Sequence, residues 1–514
     1  MRSRKSSNST CCVVVDFDRV CGLVGWGAGT DVKSEDLDHA VLDGRLPILP
    51  QERVFATARS FTTTCITFGA AIWVFLVGSL LPSVGNVKLG IVGYTSGLII
   101  GFVPCVLASG VPSFRFGIDT VDASKSVFGV RGAFLPMIGI LCTSLAWSTI
   151  IMAMVAQGVT KLVYGDGSGE GAMLTVAVAL VVVVLCWLLV RKGLTFIQQV
   201  NNVAGPALIA LATLSLALLL WRFGWDSLWT NKEPEAGVYT TDPLKSLAYA
   251  LEFGIATSLA WWPYLGGMFR AVKHRRHVMT PSMIGLTLVG GAYCSSVAAL
   301  AASAFSTSDP LAWITLLGGP VLGTGIVILI LFANIAIMGM LIYFAGVSVQ
   351  QLRPLAHIPW SVLLAILLVP VALAAFSTSW VLTQVATVTV YVGMQFVSIT
   401  AIGITDYYLL RGQHIDAEHL FARLPGGRYW FWGGINWVAV LVVALGSATY
   451  IWIYNPVTLE TADVFRYLGA SIPVMLGCAV LYYLLMRLIA RAGVGSYPFA
   501  RDRKTVSGIT EVGL

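Results

Sequence analysis

Long apolar runs separated by short polar or basic segments repeat along the chain beyond residue 56. A helix of about 20 apolar residues spans the hydrocarbon core of a bilayer, because each residue adds about 1.5 Å. Twelve such runs lie near 60–82, 87–110, 133–160, 173–190, 196–221, 247–269, 281–304, 321–349, 359–377, 380–409, 430–453 and 469–490. The pattern predicts an all-α polytopic membrane protein with twelve transmembrane helices.

The first 56 residues are rich in polar and charged positions. The stretch CCVVV at 11–15 is too short for the core of a signal peptide and is followed directly by Asp16. We expect 1–56 to be a cytoplasmic extension that is mostly disordered. The twelve runs extend over 57–492, and we assign 493–514 to a cytoplasmic tail.

Two of the predicted spans contain helix breakers at corresponding places in the two halves of the chain. Gly69 interrupts the first span, and Pro263 with the pair Gly266-Gly267 interrupts the sixth. A broken helix at membrane depth persists only where the freed backbone groups face protein or a water-filled cavity, and in secondary transporters that cavity is usually the substrate site. Trp261 and Trp262 stand beside the second break, which favours a binding site there.

Composition agrees with a membrane protein. Of the 514 residues, 57% are hydrophobic and 11% are charged, whereas soluble domains carry roughly 25% charged residues. The nine Cys residues show no ligand spacing, so we expect neither a disulfide framework nor a metal site. The net charge of +7 comes from basic residues in the loops between helices and does not indicate nucleic-acid binding.

The distribution of Lys and Arg predicts the orientation of the chain, because cytoplasmic loops are enriched in both. Of the 32 Lys and Arg residues, only Lys88, Lys161, Arg222, Lys232, Lys245 and Arg466 fall in the loops of one side. We therefore expect both termini to be cytoplasmic, in a plasma membrane or a bacterial inner membrane.

Enzyme and channel motifs are absent from the sequence. There is no P-loop, no HExxH, no GxSxG and no TVGYG-like filter. We expect no enzymatic activity, no cofactor and no obligate protein partner. A secondary transporter fits best, and a passive channel and a non-transporting membrane sensor are the alternatives from other classes.

Five segments together resemble the nucleobase–cation symporter family, which includes purine–cytosine, uracil, allantoin and hydantoin permeases. They are ITFGAAIWVFLVGSLLP (66–82), PSFRFGIDTVDASKSVFGVRGAFLPMIGILCTSLAW (112–147), WWPYLGGMFR (261–270), DYYLLRG (406–412) and GRYWFWGGINW (427–437). They cover both halves of the chain in the family's order.

The resemblance implies a fold and a mechanism. It implies two inverted five-helix repeats, helices 1–5 and 6–10, which form a transporter core at 57–410. Two peripheral helices, 11 and 12, follow at 411–492, as in the sodium–leucine transporter. The substrate site would lie between broken helices 1 and 6. Helices 1, 2, 6 and 7 would rock against helices 3, 4, 8 and 9 to import a nucleobase-like heterocycle with a cation. An amino-acid permease on the same fold is the alternative transporter.

The resemblance also implies substrate-binding residues. Trp147 falls where the family stacks a Trp on the flat ring of the substrate, and Ile151 falls where hydantoin-type members carry a Gln. The family's second aromatic wall falls near Ser258, so Trp261 or Trp262 would replace it. Ring hydrogen bonds would then come from Thr257, Ser258, Asn334 or backbone groups freed at the breaks, among them those of Gly69 and Ala70.

The resemblance places a sodium ion between helix 1, at Gly69 to Ile72, and hydroxyl groups on helix 8. The matching helix-8 positions here are Ala333, Ala336 and Ile337, which lack a side-chain oxygen. A hard cation requires oxygen ligands, so proton coupling is favoured over sodium. Glu252, a carboxylate inside the sixth span, is the candidate for proton uptake, and pairing with a neighbour near the outer rim is its alternative role.

Overall fold

A computed structural model describes residues 47–48, 51, 53–164, 171–229, 239–352, 355, 358–421 and 427–491. The extension predicted for 1–56 falls mostly outside the described residues, and so does the tail predicted for 493–514. Residues 47–48, 51 and 53–56 are the exceptions. Phe55 exchanges backbone hydrogen bonds with Ala271 and Lys273, and the Arg53 side chain donates to Val272 O at 3.0 Å.

Helices account for nearly all of the described chain, and we number the spans in chain order. The helices are α1a (Ala58–Gly69), α1b (Ile72–Leu80), α2 (Val87–Phe116), α3 (Phe134–Tyr164), α4 (Ala172–Val190), α5 (Leu194–Phe223), α6a (Pro243–Leu259), α6b (Trp262–Phe269), α7 (Arg275–Phe305), α8 (Pro310–Gln350), α9 (Trp360–Ala374), α10 (Val385–Leu410), α11 (Trp437–Ile453) and α12 (Ser471–Arg491). A linking helix (Thr120–Phe128) connects α2 to α3.

Length and apolar character support the predicted spans. Among the described residues, nine helices are long and apolar enough to cross a membrane, and the bent pair α1a–α1b makes a tenth span. The sixth span is divided into two shorter helices, and α11 has 17 residues. Each of the twelve predicted runs therefore corresponds to a helix or a broken pair of helices.

The first break follows Gly69, as the sequence predicts. Ala70 and Ala71 separate the halves, Ala71 is extended at φ −65° and ψ 170°, and the axes bend by 52°.

The second break lies before Pro263, at Ala260 and Trp261, so the predicted position at Pro263 and Gly266-Gly267 was wrong by a few residues. Pro263 occupies the first turn of α6b, where a missing N–H costs no hydrogen bond. Gly266 and Gly267 lie inside α6b and allow close packing, because a Cβ at Gly267 would overlap the ring of Phe344 on α8.

The two halves of the chain share further features. Both α2 and α7 contain a π-helical segment, at Val106–Gly110 and Met283–Tyr293. The broken helix of each half packs against the second helix of the other half: α6a against α2, and α1a with α1b against α7. This reciprocal packing is what an inverted repeat produces, and it agrees with the fold predicted from the sequence.

Candidate functional site

A small cavity lies where the two broken helices approach α3 and α8. Its volume is about 40 Å³, and it is lined by Trp73, Trp147, Ile151, Thr257, Ala260, Trp261, Tyr264, Ile337 and Leu341. Such a space holds a few water molecules, whereas pockets that hold small-molecule ligands usually measure about 300–1,000 Å³. The cavity is therefore closed in this conformation and must widen to admit a flat organic molecule.

Four aromatic side chains form most of its wall, and we call them the aromatic cage: Trp73, Trp147, Trp261 and Tyr264. The Trp73 ring lies 5.9 Å from the Trp147 ring and 6.0 Å from the Trp261 ring, both edge to face. Trp261 meets Tyr264 at 6.2 Å in the same manner. Edge-to-face rings leave their faces free, so a planar ligand can stack between them.

Polar groups near the cage are almost all paired. The Trp73 indole N–H donates to Phe68 O at 3.2 Å, and the Thr257 hydroxyl donates to Phe253 O at 2.7 Å. The Tyr264 hydroxyl shares a hydrogen bond of 3.0 Å with the Ser144 hydroxyl. The buried indole N–H of Trp147 has no hydrogen-bond partner among the described residues, and neither has the hydroxyl of its neighbour Ser148. A buried donor without a partner is costly, so the indole N–H can receive an acceptor from a ligand.

The structure brings together some of the residues singled out from the sequence. Trp147, Ile151, Thr257, Trp261 and Ile337 all line the cavity.

Two other candidates point elsewhere. Ser258 donates to Leu98 O on α2 at 2.7 Å, and Trp262 stacks on Phe396 of α10 at 5.3 Å. Of the two Trp residues proposed for the second wall, Trp261 is the one that contributes to the cage.

Asn334 serves the break in α1 and does not line the cavity. Its side-chain oxygen accepts a hydrogen bond of 3.2 Å from the backbone N–H of Ile72, the first residue of α1b. Gly69 and Ala70 are buried beside this bond, and Ala333 and Ala336 flank Asn334 on α8. The amide of Asn334 thus satisfies a backbone donor that the break sets free.

Glu252 is buried on α6a, among residues of α11 and α12. One carboxylate oxygen accepts from the Tyr450 hydroxyl at 2.7 Å and the Ser471 hydroxyl at 2.5 Å. The other accepts from the backbone N–H groups of Ala470 and Ser471, at 2.8 and 2.9 Å. Four donors and the positive end of the α12 dipole surround this carboxylate.

Four cavity residues were not predicted from the sequence: Trp73, Ala260, Tyr264 and Leu341. A signal for two of them was present. Trp73 follows Ala71, the last residue of the α1 break, by two positions, and Tyr264 follows Trp261, the last residue of the α6 break, by three. An aromatic residue just beyond each break therefore predicts the cavity lining better than the residues with hydroxyl groups near the break. Ala260 and Leu341 gave no comparable signal. No cluster of three or more His, Cys, Asp or Glu residues suited to a metal ion occurs in the described part of the chain.

These features define a class of protein: an all-helical membrane transporter with an aromatic cavity between two broken helices. The family described as permease for cytosine/purines, uracil, thiamine, allantoin matches residues 91–471, and the chain belongs to this family. Members of the family are permeases, so the protein is a transporter and not an enzyme. The purine-uracil permease NCS1 of Arabidopsis thaliana is 23% identical over 458 residues, which cover 81% of this chain and 73% of the permease.

Solved structures support the fold. Mhp1, a nucleobase-cation-symport-1 family transporter, in a closed conformation with bromovinylhydantoin bound, aligns at a TM-score of 0.70 and 18% identity over 89% of this chain and 97% of Mhp1. The inward-facing conformation of Mhp1 aligns at 0.68 with the same identity, over 88% of this chain and 94% of Mhp1. A Na⁺-coupled sialic acid symporter aligns at 0.56 and 10% identity, over 91% of this chain and 96% of the symporter. The predicted sodium–leucine-transporter-like fold is confirmed.

Proposed function

We propose that the protein imports a nucleobase-like heterocycle together with a cation, by alternating access. The aromatic cage is the observation that carries the proposal, because three Trp rings and one Tyr ring converge on one point between α1b, α3 and the α6 break. Stacking on such rings suits a flat heterocycle better than an aliphatic substrate. The transport of purines, uracil and related compounds by relatives supports the same substrate class.

The unpaired indole N–H of Trp147 supports a finer statement about the substrate. A donor beside an otherwise apolar cavity favours a heterocycle with a ring carbonyl group next to its stacking face. Uracil, hypoxanthine, allantoin and hydantoins carry such carbonyl groups, and cytosine carries one. Thr257 adds a hydroxyl to the same wall.

For the coupled cation we propose a proton. Sodium requires several oxygen ligands, yet Ala333, Ala336 and Ile337 offer none from their side chains. At the α1 break, the Asn334 side chain bonds directly to the backbone of Ile72. This hydrogen bond supports the view that the α1 break is stabilised without a bound sodium ion.

Two buried carboxylates are candidates for the proton-binding group. Glu252 is held by four donors at the start of α12, an arrangement that supports anchoring more than proton uptake. Asp119 lies between α2 and the linking helix, where it accepts from the Gln351 side chain at 3.4 Å. Burial raises the pKa of Asp119, and the charge of Arg270 partly opposes the rise. A raised pKa brings proton uptake closer to neutral pH.

Uptake of radiolabelled cytosine, uracil, hypoxanthine, allantoin and benzylhydantoin into cells that express the protein tests the proposal. We expect one compound to accumulate against its gradient, with and without sodium, and a protonophore to stop accumulation.

Trp147→Ala should abolish uptake because it removes a wall of the cage. Asp119→Asn should leave exchange of the compound intact and remove its sensitivity to the protonophore. Dependence on sodium would contradict proton coupling, and failure of every compound would contradict the substrate class.

We also propose a plasma-membrane or bacterial inner-membrane location, with both termini in the cytoplasm. The ends of α2, α6b and α8 lie on the side where the loops are rich in Lys and Arg, among them Arg270, Lys273, Arg275 and Arg276. The positive-inside rule assigns that side to the cytoplasm. Protease protection of a C-terminal tag in oriented vesicles tests this assignment.

A further inference from the structure

A second, larger cavity lies at the end of α3 and α8 that the Lys and Arg distribution assigns to the cytoplasm. Its volume is about 380 Å³, within the range of about 300–1,000 Å³ typical of ligand pockets. Lys125, Arg131, Met137, Gln351, Leu352 and Trp430 are among its lining residues. It is therefore large enough for a heterocycle that the closed aromatic cage cannot hold in this conformation.

The first cavity is lined by residues of α3 and α8, and the second by residues of α3 and those that directly follow α8. On α3, Met137 lines the second cavity and Ile151 lines the first, and the 14 positions between them make almost four turns. At the end of α8, Leu352 lies two positions beyond Gln350, the last residue of the helix, and 11 positions after Leu341. Residues separated by whole turns share a face. The cavities are thus stacked along the α3–α8 interface, roughly 15–20 Å apart.

Side chains of α3, α6b and α8 separate the two cavities. Ser144 lies midway between Met137 and Ile151 on α3, and its hydroxyl shares the buried 3.0 Å hydrogen bond with Tyr264 of α6b. On α8, Phe344 packs against the Tyr264 ring at 6.0 Å. The hydrogen bond between Ser144 and Tyr264 joins α6b to α3, two elements that must separate if the path is to open on this side.

The second cavity offers donors to a ligand. Lys125 bonds to Asp122 at 2.5 Å, and the Arg131 guanidinium lies 4.8 Å from the Trp430 ring centre. Lys and Arg side chains carry more N–H groups than these contacts use. The Gln351 amide donates one N–H to Asp119, and the described lining residues include no carboxylate. This chemistry complements ring carbonyl groups, as does the free N–H of Trp147 in the cage.

From the stacking of the cavities, we propose that the second cavity is an exit site, which holds the same carbonyl-bearing heterocycle after it leaves the cage. In this proposal the Ser144–Tyr264 hydrogen bond is the barrier between the cage and the exit site. The proposal rests on the proposed function for the identity of the ligand. The path and the barrier do not depend on that identity, so they can be tested separately.

Labelling of single cysteines tests the path. In a cysteine-free parent, Met137→Cys reports on the second cavity and Ile151→Cys on the cage, and an impermeant maleimide is applied to each side of oriented vesicles. We expect Met137→Cys to react from the cytoplasmic side only. Ile151→Cys should react slowly from that side, and about tenfold faster when Ser144→Ala removes the hydrogen bond.

Ser148→Ala is the matched control, because Ser148 is a buried serine one turn away on α3 whose hydroxyl has no hydrogen-bond partner among the described residues. It should leave labelling of Ile151→Cys unchanged. Where Ser144→Ala reduces the folded yield, Tyr264→Phe removes the same bond from the other side. Equal labelling in the Ser144 and Ser148 variants would overturn the barrier, and labelling of Met137→Cys from the opposite side would overturn the path.

Protection by ligand tests the exit site. The compound that accumulates in the uptake experiment should slow labelling of both reporters. Arg131→Gln should weaken protection at Met137→Cys about tenfold and leave protection at Ile151→Cys intact, whereas Arg487→Gln, the same change on exposed α12, should alter neither. Protection at Ile151→Cys without protection at Met137→Cys would show that the second cavity is a passage and not a binding site. If no compound accumulates, the proposed function fails and the labelling result still decides the path.

Discussion

At the scale of single residues, two chemically identical indole N–H groups differ in their surroundings. Trp147 and Trp262 both have buried indole N–H groups without a hydrogen-bond partner in the described structure. Trp147 lines the cavity, whereas Trp262 stacks on Phe396 outside it. An unpaired donor therefore indicates recognition only where a ligand can reach it.

This difference gives a matched pair of substitutions. Trp147→Phe keeps an aromatic face but removes the N–H, so the KM for uptake should rise about fivefold, which is the weight of one hydrogen bond. Trp262→Phe removes the same group from a place that the substrate does not reach, and its KM should match the wild type. Concentration dependence of uptake measures both values. An unchanged KM in Trp147→Phe would show that the ring binds by stacking alone.

Residue types in the sequence predicted part of the site. Trp147 and Thr257 were identified from motif and position, and both line the cavity. Ser258 was proposed as a ligand-binding hydroxyl, but its neighbour Leu98 has a carbonyl within 2.7 Å. Which side of a helix faces the cavity depends on the exact end of the preceding half-helix. A break displaced by two or three residues rotates the following side chains by more than half a turn.

At the scale of helices, the buried side chains of Asn334 and Glu252 bond to N–H groups that helix ends leave unpaired. Asn334 bonds to the first N–H of α1b, and Glu252 bonds to the first N–H groups around α12. The sequence showed Glu252 to be an unusual intramembrane carboxylate, and such groups mark either function or a specific partner. Its partners lie more than 190 positions away in the chain, so no local pattern could reveal them.

The contacts of Glu252 predict a stability defect for Glu252→Gln. An amide offers one acceptor oxygen where the carboxylate offers two, and its NH₂ group would face the donors of Ala470 and Ser471. We expect a loss of about 2–4 kcal/mol in the free energy of unfolding. Thermal unfolding in detergent measures the loss, and Glu460→Gln, an exposed residue on the loop before α12, is the control. A stable variant that loses protonophore-sensitive uptake would instead support a coupling role.

At the scale of the whole molecule, tight packing divides the protein into parts that move together. α2 and α6a approach so closely that a Cβ at Gly97 would overlap the backbone carbonyl of Leu251, and a Cβ at Gly254 would overlap that of Tyr94. Composition and span count predicted the membrane class, and the resemblance of five segments to the nucleobase–cation symporter family implied the fold. The sequence did not predict which helices pack backbone to backbone, because glycines are also common where no neighbour is close, as at Gly477.

The close approach of α2 and α6a predicts that these helices form one rigid unit of the transporter. Gly97→Ala should therefore lower the free energy of unfolding by about 1–3 kcal/mol, because neither backbone has room to shift. Gly477→Ala places the same methyl group in open space within α12, and it should raise stability by about 0.5–1 kcal/mol through its better helix propensity. Thermal unfolding of the two purified variants compares them directly. If Gly97→Ala is as stable as Gly477→Ala, α2 and α6a can separate without cost, and alternating access would have to include motion between them.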